Sequence, residues 1–346
     1  MNIVVSILVF GLLFAVHEAG HFLAAKRAGV RVEEFALGVG PRLFGWRWGE
    51  TRYSLRLFPV LAFVRMAGTD PTEAVTDNRG FNRKTVWQRM GIVAAGPAMN
   101  FFLAVLFFTS IFAYFGVPQA VTEEPVIGEV MRGHPAEEAG LRPGDRVLAL
   151  DGKPVRAWTD LVRVIQASTG KPLAVTVERD GRRLTLRVTP QPSGDRPEKG
   201  FIGIAPRTRI VRMGLLASLK TGLLQTVGVS LLWIKSLVLI VTRKMQADVA
   251  GPVGIISMLN QATRVGVANL VSLAGALSAI LGLTNLLPIP ALDGSRLLFL
   301  SVEAIRGRPI DPERENFIHF VGFALLMLLA LVITYRDFIR LFAGWN

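Results

Sequence analysis

Apolar residues cluster into five runs, at positions 3–25, 91–115, 213–241, 267–287 and 317–335, with polar chain between them. As a helix the first run would reach about 34 Å, enough to cross a hydrocarbon core. The first, second, fourth and fifth runs read as membrane spans. The third is less regular. Lys220 and Lys235 interrupt it, while Leu215, Leu219, Leu223, Val227 and Leu231 recur at helical spacing. It could cross the membrane or lie along the outer interface as an amphipathic helix. The interfacial placement is preferred, because it returns the end of the fourth run to the depth of the first.

Two stretches show strand character. Alternation through residues 51–57, among Gly38, Gly40, Pro41, Gly45 and Gly49, predicts β-hairpins on or dipping into the cytoplasmic face. From about 121 to 207 the composition turns soluble, with strands expected at 126–130, 146–150, 173–179 and 184–189. Helices are expected there at 136–139 and 158–166, and Asp151-Gly152 and Asp180-Gly181 mark tight turns.

The fold class that follows is an α-helical multi-pass membrane protein of about four transmembrane helices. It carries a membrane-associated β-hairpin region and one inserted extracytoplasmic α+β domain. Its expected parts are an N-terminal membrane core at 1–118, the inserted domain at 121–207, an interfacial linker at 208–260 and a C-terminal membrane core at 261–346.

Composition supports this. The chain has 346 residues, 51% of them hydrophobic, and a mean hydropathy of +0.43. A net charge of +13 would suggest nucleic acid in a soluble protein. Here Lys26, Arg27, Arg31, Arg42, Arg47, Arg52, Arg56 and Arg65 all fall between the first two runs, as the positive-inside rule places them on the cytoplasmic side. No aromatic-interleaved basic motif of a nucleic-acid reader accompanies them. Cysteine is absent, so thiolate metal ligands are excluded.

The first run contains His17-Glu18-Ala19-Gly20-His21. Histidines four apart project from one helix face about 6 Å apart along the axis and can share one Zn²⁺, with Glu18 placed to work on water. An acid inside a span costs at least about 2.5 kcal/mol, so it calls for a functional reason. Catalytic zinc usually has three protein ligands, and a carboxylate is needed for the third. Asp293 is the best candidate: it follows an apolar helix broken by Pro288 and Pro290, which frees the chain to turn. Gly96-Pro97 with Asn100 suits close helix contact, and lone His319 and His134 read as packing and exposed residues respectively.

His17–His21, Gly38-Val39-Gly40-Pro41, Gly96-Pro97 with Asn100, Gly140–Asp145 with Leu150-Asp151-Gly152, Gly251-Pro252-Val253-Gly254 and Asn285–Gly294 occur in this order. Together they resemble the site-2 protease family of intramembrane zinc metalloproteases, most closely its bacterial regulator-of-sigma-E branch, and the soluble insert resembles a PDZ domain. The resemblance implies Zn²⁺ held by His17, His21 and Asp293, Glu18 as general base, and Asn285 as donor to the oxyanion or substrate backbone. It also implies substrate contacts near Gly38, Gly40, Asn100, Pro288 and Pro290. The implied substrates are single-span proteins already trimmed outside a bacterial cytoplasmic membrane, such as anti-sigma factors or signal-peptide remnants. The PDZ-like domain would filter by size or dock peptide chain ends, and lipid surrounds the site. A catalytically idle scaffold presenting that domain, and a zinc enzyme acting on lipid or another amide, are the competing readings.

Overall fold

The computed structural model describes residues 2–69, 78–193, 196–245 and 250–342. The chain divides into two compact units, Met1–Tyr114 with Gly214–Asn346, and Phe115–Met213. The first unit begins with α1 (Asn2–Arg27), β1 (Val32–Trp48), β2 (Thr51–Met66) and α2 (Val86–Ser110). The second holds two helices, α3 (Pro135–Glu138) and α4 (Trp158–Gln166), among short strands. The chain then returns to the first unit with α5 (Leu215–Val241), α6 (Pro252–Val265), α7 (Val267–Asn285), α8 (Asp293–Arg306) and α9 (Pro312–Phe342).

Helix α2 is the centre of the first unit and packs against α1, α5, α7 and α8. It starts five residues before the apolar run because Thr85 and Gln88 form a capping box, which satisfies the first free N–H groups. Small residues set how closely its neighbours approach. A Cβ on Gly20 of α1 would lie 2.2 Å from the Ala95 carbonyl oxygen, and one on Gly282 of α7 would lie 3.0 Å from that of Pro97. In an apolar medium such contacts gain dispersion energy that bulkier residues would forfeit.

Among the described residues five helices are long and apolar enough to cross a membrane: α1, α2 with its extension to Phe115, α5, α7, and Glu313–Arg340 within α9. Helix α5 is the segment expected along the interface, and small residues rather than its leucines make its helix contacts. Its buried positions are Ser218, Gly222 and Thr226, while Leu219, Leu223, Val227 and Leu231 are exposed. A stripe of small residues at i, i+4 and i+8 makes the helix contact, as in membrane bundles, and the leucines face outwards. Gly222 sits against Val105 and Thr109, and Gly275 of α7 sits against Phe107 and Phe108. The chain between α5 and α7 therefore returns to the level of α2 from which it left. Helix α6 closes this return, with Asp337 of α9 accepting from the backbone N–H groups of Gly251 and Gly254 at 3.3 and 2.7 Å.

The region expected as simple hairpins is a more closed sheet. Residues 44–48 face 55–51 across a tight turn, residues 34–37 face 52–55 on one side, and the same residues face 65–62 on the other. Residues 34–37 are thus central, and 62–66 form an edge. Positive φ at Gly38 and Gly40, +92° and +89°, lets β1 bend between these roles, and a Cβ on Gly38 would lie 2.8 Å from the Phe58 carbonyl oxygen. Leu43, Phe44, Trp46, Trp48 and Phe58 are exposed on the outer part of the sheet.

In the second unit the sheet-forming strands Arg146–Leu150, Leu173–Arg179 and Arg182–Val188 lie close to their expected positions. Asp151-Gly152 and Asp180-Gly181 each have two successive positive φ values, as a primed hairpin turn requires. Trp158, Leu161 and Ile165 of α4 pack on Val147, Val175 and Val177. Asp145, 1% exposed, accepts from Arg179 Nε and Nη2 at 2.7 Å each. His134 is half-buried against Phe201 rather than exposed.

Glu34 ties the membrane-associated sheet together. It accepts from Ser54 Oγ at 2.7 Å and Arg56 Nη2 at 2.9 Å. Burial pushes its carboxyl up, but these bonds and the charges of Arg56 and Arg65 outweigh burial and hold it below the usual range. A depressed carboxylate contributes stability above its unfolded value, about 4.3, and loses it as pH falls through the folded value. Glu34→Gln should lower the unfolding temperature in detergent at pH 7, at a cost of about 1–3 kcal/mol. The gap to wild type should narrow as the pH is taken below 4, and a gap that widens there would refute this role.

Candidate metal centre

The buried face of α1 carries Phe10, Leu13, His17, Gly20 and His21, so the two imidazoles enter the bundle together. Their Nε2 atoms lie 3.2 Å apart. Asp293, the first residue of α8, brings Oδ2 to 3.0 Å from His17 Nε2 and 3.3 Å from His21 Nε2. Residues 276 positions apart in sequence thus share one point in space.

The turn between α7 and α8 delivers that carboxylate. Pro288 and Pro290 cannot donate to a helical ladder, so α7 stops at Asn285. Ala291 then takes φ +72°, uncommon for a residue with a side chain, and its N–H donates to His319 Nδ1 at 3.1 Å. His319 is therefore a partner of this turn. Gly294 allows the turn to fold on itself, since a Cβ there would lie 2.3 Å from the carbonyl oxygens of Leu286 and Leu287.

The donor set suits zinc. Ligand bonds of about 2.0–2.1 Å in a tetrahedron put ligand atoms about 3.3 Å apart, close to the three separations here. His21 Nδ1 lies 2.9 Å from the Ile92 carbonyl, which can only accept, so Nδ1 carries the proton and Nε2 presents its lone pair. Asp293 Oδ2 is buried with no hydrogen-bond donor. With His17 also presenting its Nε2 lone pair, three acceptor atoms converge without a proton donor among them, which is unfavourable in an apolar bundle unless a cation joins them. Among the described residues this is the one group of three such side chains close enough to hold a metal.

A cavity of about 500 Å³ opens on the three atoms. Glu18, Asn285 and Arg296 line it together with residues 63–66 of the edge segment. The backbone of Val64 in that edge faces the Glu18 carboxylate. Asn285 Nδ2 donates to the Leu281 carbonyl at 3.0 Å, which leaves its second N–H for the cavity.

Of the residues singled out from sequence, His17, Glu18, His21, Asn285 and Asp293 meet at this cavity. Gly38 and Gly40 do not line it, because their role is to bend β1. Pro290 packs on Gly322 and borders an apolar groove with Phe317, Ile318 and Val321, and Pro288 is exposed at the turn. Asn100, expected to touch substrate, is wholly buried behind His17. Arg296 and residues 63–66 were missed by the sequence reading. Arg296 had a signal, standing one helical turn after Asp293; the edge had none, since it follows from register.

Gly96 of α2 faces the imidazole pair. A Cβ there would lie 2.3 Å from His21 Nε2 and 2.9 Å from His17 Nε2, in the space next to the ligand atoms. Gly96→Ala should keep the helix, since Ala favours it by about 1 kcal/mol, yet weaken zinc binding at least 100-fold in a chelator competition. Wild-type affinity in that variant would contradict the packing described.

Known proteins point the same way. The family described as Peptidase family M50 matches residues 5–329. The zinc metalloprotease RasP of Bacillus licheniformis is 37% identical over 99% of this chain and 100% of its own length. The regulator of sigma-W protease RasP of Bacillus subtilis is 35% identical over 99% of both chains. A solved PDZ domain of an SdrC-like protein from Listeria monocytogenes aligns with 25% of this chain and 90% of its own, at 16% identity and a TM-score of 0.22. With the family match covering most of the chain and its relatives aligned from end to end, this protein belongs to peptidase family M50.

Proposed function

We propose that the protein is an intramembrane zinc metalloendopeptidase of the site-2 type, cutting peptide bonds within the spans of single-pass membrane proteins. The observation that carries this is the meeting of His17 and His21 with Asp293 at a cavity that also holds Glu18. An idle scaffold would have no use for a base beside a complete ligand set. The strand edge argues for a peptide over a lipid.

His17 Nε2, His21 Nε2 and Asp293 Oδ2 would hold the zinc, with Asp293 supplying the negative charge. When bound, zinc lowers the pKa of water and polarises the scissile carbonyl. Glu18, beside the backbone of Val64, accepts a proton from the attacking water and returns it to the leaving amine. The second N–H of Asn285 donates to the oxyanion or to the substrate backbone. Arg296 adds a positive charge at the cavity wall.

A helical substrate hides its carbonyls in its own ladder, so it must unwind before attack. Residues 62–66 are paired on the side facing β1, and no further strand pairs with them among the described residues. The free edge can receive the unwound segment as an added strand and hold its carbonyl beside Glu18. This role passes from the Gly38–Gly40 bend to the edge it shapes.

The basic loop between α1 and α2 supports a site near the cytoplasmic face of a bacterial cytoplasmic membrane, with the PDZ-like unit outside. A chain that returns to its starting level between α5 and α7 is compatible with that orientation whether α5 crosses or lies in the outer leaflet. Substrates trimmed outside, anti-sigma factors among them, fit the regulator of sigma-W protease to which this chain is similar. The PDZ-like unit then excludes untrimmed proteins or docks new chain ends.

The direct test is cleavage of a tagged single-span protein lacking its outer domain, by purified zinc-loaded enzyme in detergent. Wild type should cut within the span, and Glu18→Gln should bind zinc yet lose at least about 100-fold in rate, as expected for losing a general base. Equal rates in the two would remove Glu18 from the mechanism. Failure of wild type on a panel of such substrates would favour the non-peptide reading.

A further inference from the structure

Asn100 is wholly buried within α2, and its backbone carbonyl accepts from Ser278 Oγ of α7 at 2.8 Å. A Cβ on Gly282 of α7 would lie 3.2 Å from Asn100 Cβ, so α7 packs closely on that side of Asn100 while its carboxamide reaches His17 of α1. There its Nδ2 lies 3.3 Å from His17 Nδ1, while its Oδ1 is buried with no partner.

These two facts are coupled. If His17 offers Nε2 to a metal, the neutral ring must carry its proton on Nδ1, and an N–H pointing at an NH₂ group satisfies neither. The two ends of a carboxamide occupy nearly the same volume and exchange by a half-turn. With that half-turn, Oδ1 accepts the Nδ1 proton and the stranded oxygen gains its partner. The same change fixes His17 in the tautomer that leaves Nε2 free. His21 is already held this way by the Ile92 carbonyl, so α2 would orient both imidazoles, one from its backbone and one from a side chain.

We propose that Asn100 is a positioning residue for the metal: its amide oxygen accepts from His17 Nδ1–H and holds Nε2 towards the site. This rests on the reading of His17 as a zinc ligand. It predicts a difference between two substitutions of similar size. Asn100→Asp keeps an oxygen acceptor at the same place, whereas Asn100→Leu keeps the volume without the acceptor.

The test is zinc affinity by chelator competition on the full chain in detergent, with thermal unfolding of each metal-free variant as the fold check. Asn100→Leu should bind zinc about 10- to 100-fold more weakly, the range for losing a partner of a ligating histidine. Asn100→Asp should stay within about threefold of wild type or tighten, since its charge strengthens the bond to Nδ1–H. Leu binding as tightly as wild type, or Asp failing as badly as Leu, would overturn the proposal. If the Leu variant does not fold, ¹⁵N-histidine spectra of zinc-loaded wild type decide it. A protonated, slowly exchanging Nδ1 on His17 supports the role; a bare or ligated Nδ1 ends it. Wild type that binds no zinc would remove the metal reading along with this one.

Discussion

Three acceptor atoms within 3.3 Å of one another, inside an apolar bundle, are the constraint on which the rest of this structure depends. With both imidazoles presenting Nε2 lone pairs, two nitrogens and a carboxylate oxygen cannot satisfy each other, and burying an unpaired carboxylate costs several kcal/mol. A divalent cation would turn that penalty into binding energy. Much of the surrounding architecture can be read as what is needed to hold these atoms in place before the cation arrives.

The means are mainly steric. Glycines at 20, 96, 282 and 294 remove Cβ atoms where backbone or imidazole must come within contact distance. They let α1 and α7 close on α2, clear room beside Nε2 of His17 and His21, and let the proline-broken turn fold onto the start of α8. Arg89 of α2 forks to both carboxylate oxygens of Glu303, at 3.0 and 2.5 Å, and so ties the far end of α8 to the same central helix. A bidentate pair fixes direction as well as distance. Pre-organisation of this kind matters to a hydrolase because a misplaced base or ligand loses much of its effect.

The parts legible in the sequence were those set by local spacing. Histidines four apart must share a helix face, Asp-Gly pairs must turn, and long apolar runs must become helices. Asp293 could be reached too, because a proline-broken span leaves few other carboxylates to complete a site. What was hidden depends on packing between distant segments. The edge at 62–66 exists because residues 34–37 pair on both sides, which no period in the sequence reveals. The leucines of α5 recur at helical spacing but do not form its buried face, because in an apolar solvent leucine has no reason to hide and small residues make the contact. Asn100 was visible as a polar residue in a span, yet its meeting with His17 depends on how α2 is rotated.

The central claim is that His17, His21 and Asp293 together hold one catalytic zinc. The most direct measurement is zinc stoichiometry after dialysis against a weak chelator, for wild type and for His17→Ala, His21→Ala and Asp293→Ala. The account predicts one zinc per wild-type chain and its loss from each variant, because two remaining ligands make a poor site. A variant that folds and still retains one zinc per chain would show that the residue it lacks is not a ligand, and would contradict the site described.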